Sequence, residues 1–141
     1  YTIDALRIEA GRRAWSAELS PDETPFEAGL DFAVRLDKPA PFLGRDALLR
    51  QRESGLRKRL VQFTFDDPSA FPWGGEPVLM DGRSVGELTS AGYSRKLGRA
   101  VAMAYARSEA PLTDQAILSA RYEVDIAGER FGVTPHLAPP A

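Results

Sequence analysis

Residues 121–134 read Arg-Tyr-Glu-Val-Asp-Ile-Ala-Gly-Glu-Arg-Phe-Gly-Val-Thr. Tyr122, Val124 and Ile126 alternate with Arg121, Glu123 and Asp125, which predicts a strand with one apolar and one polar face. Ala127-Gly128 turns the chain, and Arg130–Thr134 returns with Phe131 and Val133 on a common side.

The same texture continues upstream. Val101, Met103 and Tyr105 share a period of two, and Asp81-Gly82 between Pro77–Met80 and Ser84–Thr89 is a strong two-residue hairpin signal. Leu60–Phe65 alternates, with Val61, Phe63 and Phe65 on one side. About six short strands at these spacings predict a mainly β chain, a small antiparallel barrel or a sandwich. Asp66–Gly75 is a loop rich in proline, glycine and aromatics, whose Phe71 and Trp73 either line a pocket or cap the barrel, with capping the favoured expectation. Gly86–Ser94 is read as a tight corner, with Gly86 admitting a bulge or a close backbone neighbour and Gly92 a positive-φ turn.

The first 55 residues have another character. Ile3, Leu6 and Ala10 predict an apolar helix face, and Gly11 ends that helix. Ser20-Pro21-Asp22-Glu23 and Thr24-Pro25-Phe26-Glu27 are two helix-start signals in succession, with Gly29 closing the second. They specify a compact corner. Leu30–Leu36 alternates as a strand would, Pro39 and Pro41 break the chain, and a helix starting near Phe42 runs to about Ser54 and stops at Gly55.

Arg7 and Trp15 are the candidate binding pair. Arginine carries a permanent charge and a planar donor fork, suited to a carboxylate or a polar heteroaromatic edge, and tryptophan supplies a stacking wall. The structural alternative is an arginine paired with Glu9 or Glu18 and a tryptophan in the core. Gly74-Gly75 leads into Glu76-Pro77 rather than a helix, which argues against a phosphate loop. Asp66 and Asp67 read as a solvated turn, and Ser84, Ser90 and Ser94 lack a nearby histidine for a triad. His136 stands alone in a Pro-rich tail, so no metal site is expected.

The chain has 141 residues, 43% of them hydrophobic, and a formal net charge of −2. Its pI is about 5.5. Charges of both signs are interspersed, so neither nucleic acid nor a membrane surface is an expected partner. No apolar run approaches the roughly 20 residues of a membrane helix, and no signal-peptide pattern is visible. Cysteine is absent, which removes disulfides and thiolate chemistry. The cytoplasm is the expected location. A start at Tyr1 directly on a helical pattern suggests a piece of a longer polypeptide.

Four segments occur in an order that resembles a known family: Ala5–Gly11, Thr24–Leu30, Phe42–Leu48 and Val85–Ser90. They resemble the distal part of the glycine-cleavage T-protein family, the folate-dependent aminomethyltransferases. Residues 13–15 (Arg-Ala-Trp) and 18–25 (Glu-Leu-Ser-Pro-Asp-Glu-Thr-Pro) resemble the folate modules fused to FAD-dependent sarcosine or dimethylglycine dehydrogenases.

The resemblance implies a barrel over residues 56–137, followed by a tail at 138–141. Residues 1–55 would be the trailing edge of the folate-binding region and the bridge into the barrel. It also implies tetrahydrofolate as the acceptor of a one-carbon unit, with FAD in a separate domain of the parent. Arg7 would contact folate, Trp15 would stand where the family commonly has a tyrosine, and Glu9 would orient Arg7. The family's catalytic aspartate and pterin-gripping acid lie upstream, so no catalytic residue is assigned here and the chain alone is expected to be inactive. The missing N-terminal region of the same protein would be its partner. An accessory barrel for interdomain packing or partner docking, with no ligand role, is the rival reading.

Overall fold

The computed structural model describes residues 2–140; Tyr1, on which the expectation of a cut start falls, and Ala141, the last residue of the expected tail, lie outside them. Six antiparallel strands close into a barrel in the order β1-β4-β3-β2-β5-β6. They are β1 (Leu56–Phe65), β2 (Pro77–Met80), β3 (Arg83–Ser94), β4 (Arg99–Leu112), β5 (Tyr122–Ile126) and β6 (Glu129–His136). Closure resolves the barrel-or-sandwich choice and leaves no unpaired edge.

Both predicted hairpin turns form. Asp81 and Gly82 have φ of 51° and 80°, and Ala127 and Gly128 have 52° and 89°, the doubly positive pattern of tight hairpins. Gly86–Ser94 is not a corner: it lies inside the 12-residue β3, and the chain turns only beyond Ser94. Gly86 does take the expected close neighbour, since a Cβ there would strike the carbonyl oxygen of Tyr105.

The interior pairs large with small. Phe63 stands opposite Ala102 and Val61 opposite Ala104 in the β1–β4 register. Ala100, Ala102, Ala104 and Ala106 are all buried in the core that Phe63, Phe65, Val124 and Tyr122 fill from other strands. The rings of Phe63 and Tyr122 meet at 5.0 Å in a tilted pair. Val101, Met103 and Tyr105 belong to a separate cluster on the other face of β4, with Leu60 and Ile8.

Helix α1 (Thr2–Glu9) packs on β3 and β4 and covers that second cluster. The face it buries is Ala5 and Ile8, not the predicted Ile3, Leu6 and Ala10 face, because Ile8 fills the outer cluster. Ile3 is 79% and Leu6 57% exposed. Gly92 lets α1 approach: a Cβ there would lie 3.1 Å from the Ala5 Cα. That close approach, rather than a positive φ, is what the glycine provides.

The predicted corner forms. Thr24 Oγ1 accepts from the Glu27 N–H at 3.2 Å while Glu27 Oε2 accepts from the Thr24 N–H at 2.9 Å, a reciprocal capping box. Residues 30–36 are not a strand. Asp31–Ala33 form a single 3₁₀ turn, Phe32 is exposed, and the closed barrel offers that alternating segment no strand to pair with. Helix α2 spans Arg45–Ser54, ending where predicted but starting three residues later than Phe42, after Gly44 at φ 85°. A further short helix, α3 (Asp114–Ser119), is capped by Thr113, whose Oγ1 accepts from the Ala116 N–H. Among the described residues no helix is long and apolar enough to cross a membrane.

Candidate functional site

Glu18 organises the seam between the N-terminal segment and the barrel. Its side chain is fully buried. Oε2 accepts from Arg7 Nη1 at 3.0 Å and from the Ala14 N–H at 2.8 Å. Oε1 accepts from Thr89 Oγ1 at 2.8 Å and from Ser90 Oγ. The Tyr105 hydroxyl donates to the Glu18 carbonyl at 2.7 Å, and burial pushes that phenol above its ordinary pKa. A buried carboxylate needs this many donors to offset its lost hydration.

Arg7 is engaged on all three nitrogens. Nε donates to Asp4 at 3.1 Å, Nη1 to Glu18 and to the Arg12 carbonyl, and Nη2 to Ser90 Oγ at 2.6 Å. Guanidinium has five N–H groups. One Nη2 hydrogen has no acceptor among the described residues, so Arg7 retains a single donor rather than a bidentate fork. The partner that orients it is Glu18, from the structural alternative, rather than Glu9.

Trp15 is 71% exposed on the loop beyond α1, held by a backbone bridge to Leu19. The core position that the structural alternative gave Trp15 is therefore not observed. Glu9 lies apart from the Arg7 network. It lines a cleft of about 450 Å³ with Leu6 and Ala5 of α1, Phe71 and Trp73 of the long loop, and Tyr93 of β3. Phe71 and Trp73 do not seal the core: they are 60% and 74% exposed and meet edge-on at 5.4 Å. The loop is fixed by Glu76, whose carboxylate accepts from the N–H groups of Trp73 and Gly74. Those amides are consequently unavailable to a phosphate.

His136 belongs to β6 rather than to a loose tail. It pairs with Gln62 and its Nε2 lies 3.0 Å from Thr64 Oγ1. Desolvation lowers its pKa. Asp67 accepts from the Ser69 N–H and hydroxyl in a turn, as read from the sequence, while Asp66 accepts from Thr134. Among the described residues no cluster of three or more His, Asp or Glu could hold a metal ion.

The sequence singled out Arg7 and offered Glu18 as one of two structural partners for it, but gave no role to Thr89, Ser90 or Tyr105 around it. Glu18, Thr89, Ser90 and Tyr105 are separated from one another by up to 87 residues, and only closure of the barrel assembles them. The available signal was that Thr89 and Ser90 follow Gly86 in a strand beside a small-residue stretch.

The family model of the glycine cleavage T-protein C-terminal barrel domain matches residues 58–140. Human mitochondrial sarcosine dehydrogenase is 39% identical over 98% of this chain and 15% of its own length. The mitochondrial pyruvate dehydrogenase phosphatase regulatory subunit of Mus musculus is 38% identical over 99% of this chain and 17% of its own. The chain thus spans about a sixth of these curated relatives. Among solved structures, the glycine cleavage system aminomethyltransferase T of Bartonella henselae superposes with a TM-score of 0.78 at 25% identity, covering 94% of this chain and 36% of that one.

Proposed function

The chain belongs to the glycine cleavage T-protein family as an aminomethyltransferase-like C-terminal barrel, and from that premise we propose that it completes a tetrahydrofolate-dependent one-carbon transfer unit. The unit would be part of a longer protein of the FAD-dependent sarcosine or dimethylglycine dehydrogenase type. The observation that carries this reading is that the likeness to sarcosine dehydrogenase runs beyond the barrel. It includes the segment that holds Arg7, Glu9 and Trp15.

The residues present fit a folate contact. Trp15 offers an exposed indole face, and Arg7 keeps one Nη2 hydrogen and its positive charge at the seam. Tetrahydrofolate, when bound, supplies the nitrogens that accept the one-carbon unit. The chain's own contribution is to hold and orient it, with the reacting groups placed elsewhere in the parent. Residues 1–55 would face that remaining region, which is the partner this reading requires.

A second reading is favoured by a specific observation: Arg7 is bonded to Asp4, Arg12, Glu18 and Ser90, as a purely structural clamp would be. On that reading the barrel serves interdomain packing or partner docking. Calorimetric titration of tetrahydrofolate into the full-length protein decides between them. If Arg7 touches folate, Arg7→Ala weakens binding roughly 10- to 150-fold, the loss of one charge-assisted hydrogen bond. Arg7→Lys restores part of it. Unchanged affinity with a lowered melting temperature assigns Arg7 to structure. The 141-residue chain alone is expected to form no methylenetetrahydrofolate.

A further inference from the structure

We propose that Glu18 is a specificity-determining residue: by compensating the charge of Arg7 it limits that arginine to an uncharged acceptor, a carbonyl or ring nitrogen, and denies it a carboxylate. The inference rests on the folate reading for its ligand but on the geometry of the seam for its logic.

Bidentate recognition of a carboxylate needs two parallel N–H groups on one edge of the guanidinium. The Nη1 pair is occupied by Glu18 and the Arg12 carbonyl, Nε by Asp4, and half of Nη2 by Ser90. No edge has two hydrogens to offer. Charge points the same way. Arg7 has two carboxylates within 3.1 Å, one of them buried and one, Asp4, 53% exposed towards solvent. An incoming anion would find the charge of Arg7 already matched by these two carboxylates. A neutral acceptor needs only one N–H and no unmatched charge. Glu18 itself cannot swing away without losing Thr89, Ser90 and the Ala14 amide.

The ligand half of the test compares three tetrahydro probes with the full-length protein: one lacking the glutamate tail, one with a single glutamate and one with three. Arg7→Ala is expected to weaken all three by the same factor, within about threefold. A loss that grows with each carboxylate overturns the proposal. In Glu18→Gln the arginine, left with Asp4 as its one carboxylate partner, should raise the preference for the triglutamate over the tailless probe by about tenfold.

The second half needs no folate. In protein labelled with ¹⁵N at arginine, added acetate should leave the Arg7 guanidinium resonances unmoved in the wild type and in Ser90→Ala, which frees a hydrogen but keeps the charge pair. It should shift them in Glu18→Gln. A wild-type shift overturns the proposal even if Glu18→Gln fails to fold. If none of the probes binds, the folate reading fails while the acetate result still decides the role of Glu18.

Discussion

The two clusters that meet on β4 are held in different ways. Inside the barrel, phenylalanines and branched side chains interlock with a stripe of alanines, and the side-chain packing is apolar burial. Outside it, Ile8 contributes a patch of the same kind, but the N-terminal segment is fastened mostly by polar contacts. Arg7 and Thr89–Ser90 bind Glu18, Lys58 binds Glu23 at 2.6 Å, and Arg13 donates to the carbonyls of Gly11, Ala28 and Gly29. Apolar packing tolerates changes of pH and salt, whereas a polar seam is specific in geometry and sensitive to the loss of any one partner. That division suits a segment whose task is to hold an arginine at a fixed angle.

The contrast can be broken most forcefully from the inside. Phe63→Ala opens a cavity among Ala102, Tyr122 and their neighbours and should cost about 3–5 kcal/mol, measured by denaturant unfolding. Protection from hydrogen exchange should fall across the whole barrel. A loss below about 1 kcal/mol would mean that the interior collapses onto the gap and is not the jigsaw described.

Glu18→Ala should cost about 3 kcal/mol, because it strands Arg7 and two hydroxyls at a buried seam. The effect should be local, with exchange protection at residues 5–19 falling further than in β1 and β4. Uniform loss would erase the distinction between seam and core.

Gly92→Ala probes the same seam sterically. The added methyl meets Ala5 of α1 rather than a barrel strand, so a cost of about 1 kcal/mol and a displaced helix are expected. An unchanged melting temperature would show that α1 is free to shift.

The smallest effect is in pH. The hydrogen bond from Lys58, then that from Ser20, holds the Glu23 carboxyl below its usual 4.5. A lowered folded-state pKa stabilises fully above the unfolded value and is lost as pH falls through the folded one. Wild type and Glu23→Gln should therefore differ by about 0.5 kcal/mol near neutrality and converge below pH 4.5. A gap that persists in acid would assign the contact to packing instead of charge.

The sequence by itself determined the local elements whose cause is local. Asp81-Gly82 and Ala127-Gly128 adopt positive φ where tight hairpins demand it, and the Thr24–Glu27 capping box closes as written. Alternation in Leu60–Phe65 and Tyr122–Ile126 marked strands because side chains on a strand change face at every residue. Alternation could not say which face of β4 turns inward. Val101, Met103 and Tyr105 look like the core face, yet the alanines share the interior with Phe63 because the large rings of β1 and β5 leave room only for small neighbours. The same limit hid the true face of α1 and sent Leu30–Leu36 to a 3₁₀ turn, since each outcome depended on what stood opposite. Arg7 was visible as a candidate from its own segment. Its orientation by Glu18, and the role of Ser90 from across the barrel, were decided only by the tertiary structure: a buried charge settles where distant donors converge, and nothing local records that convergence.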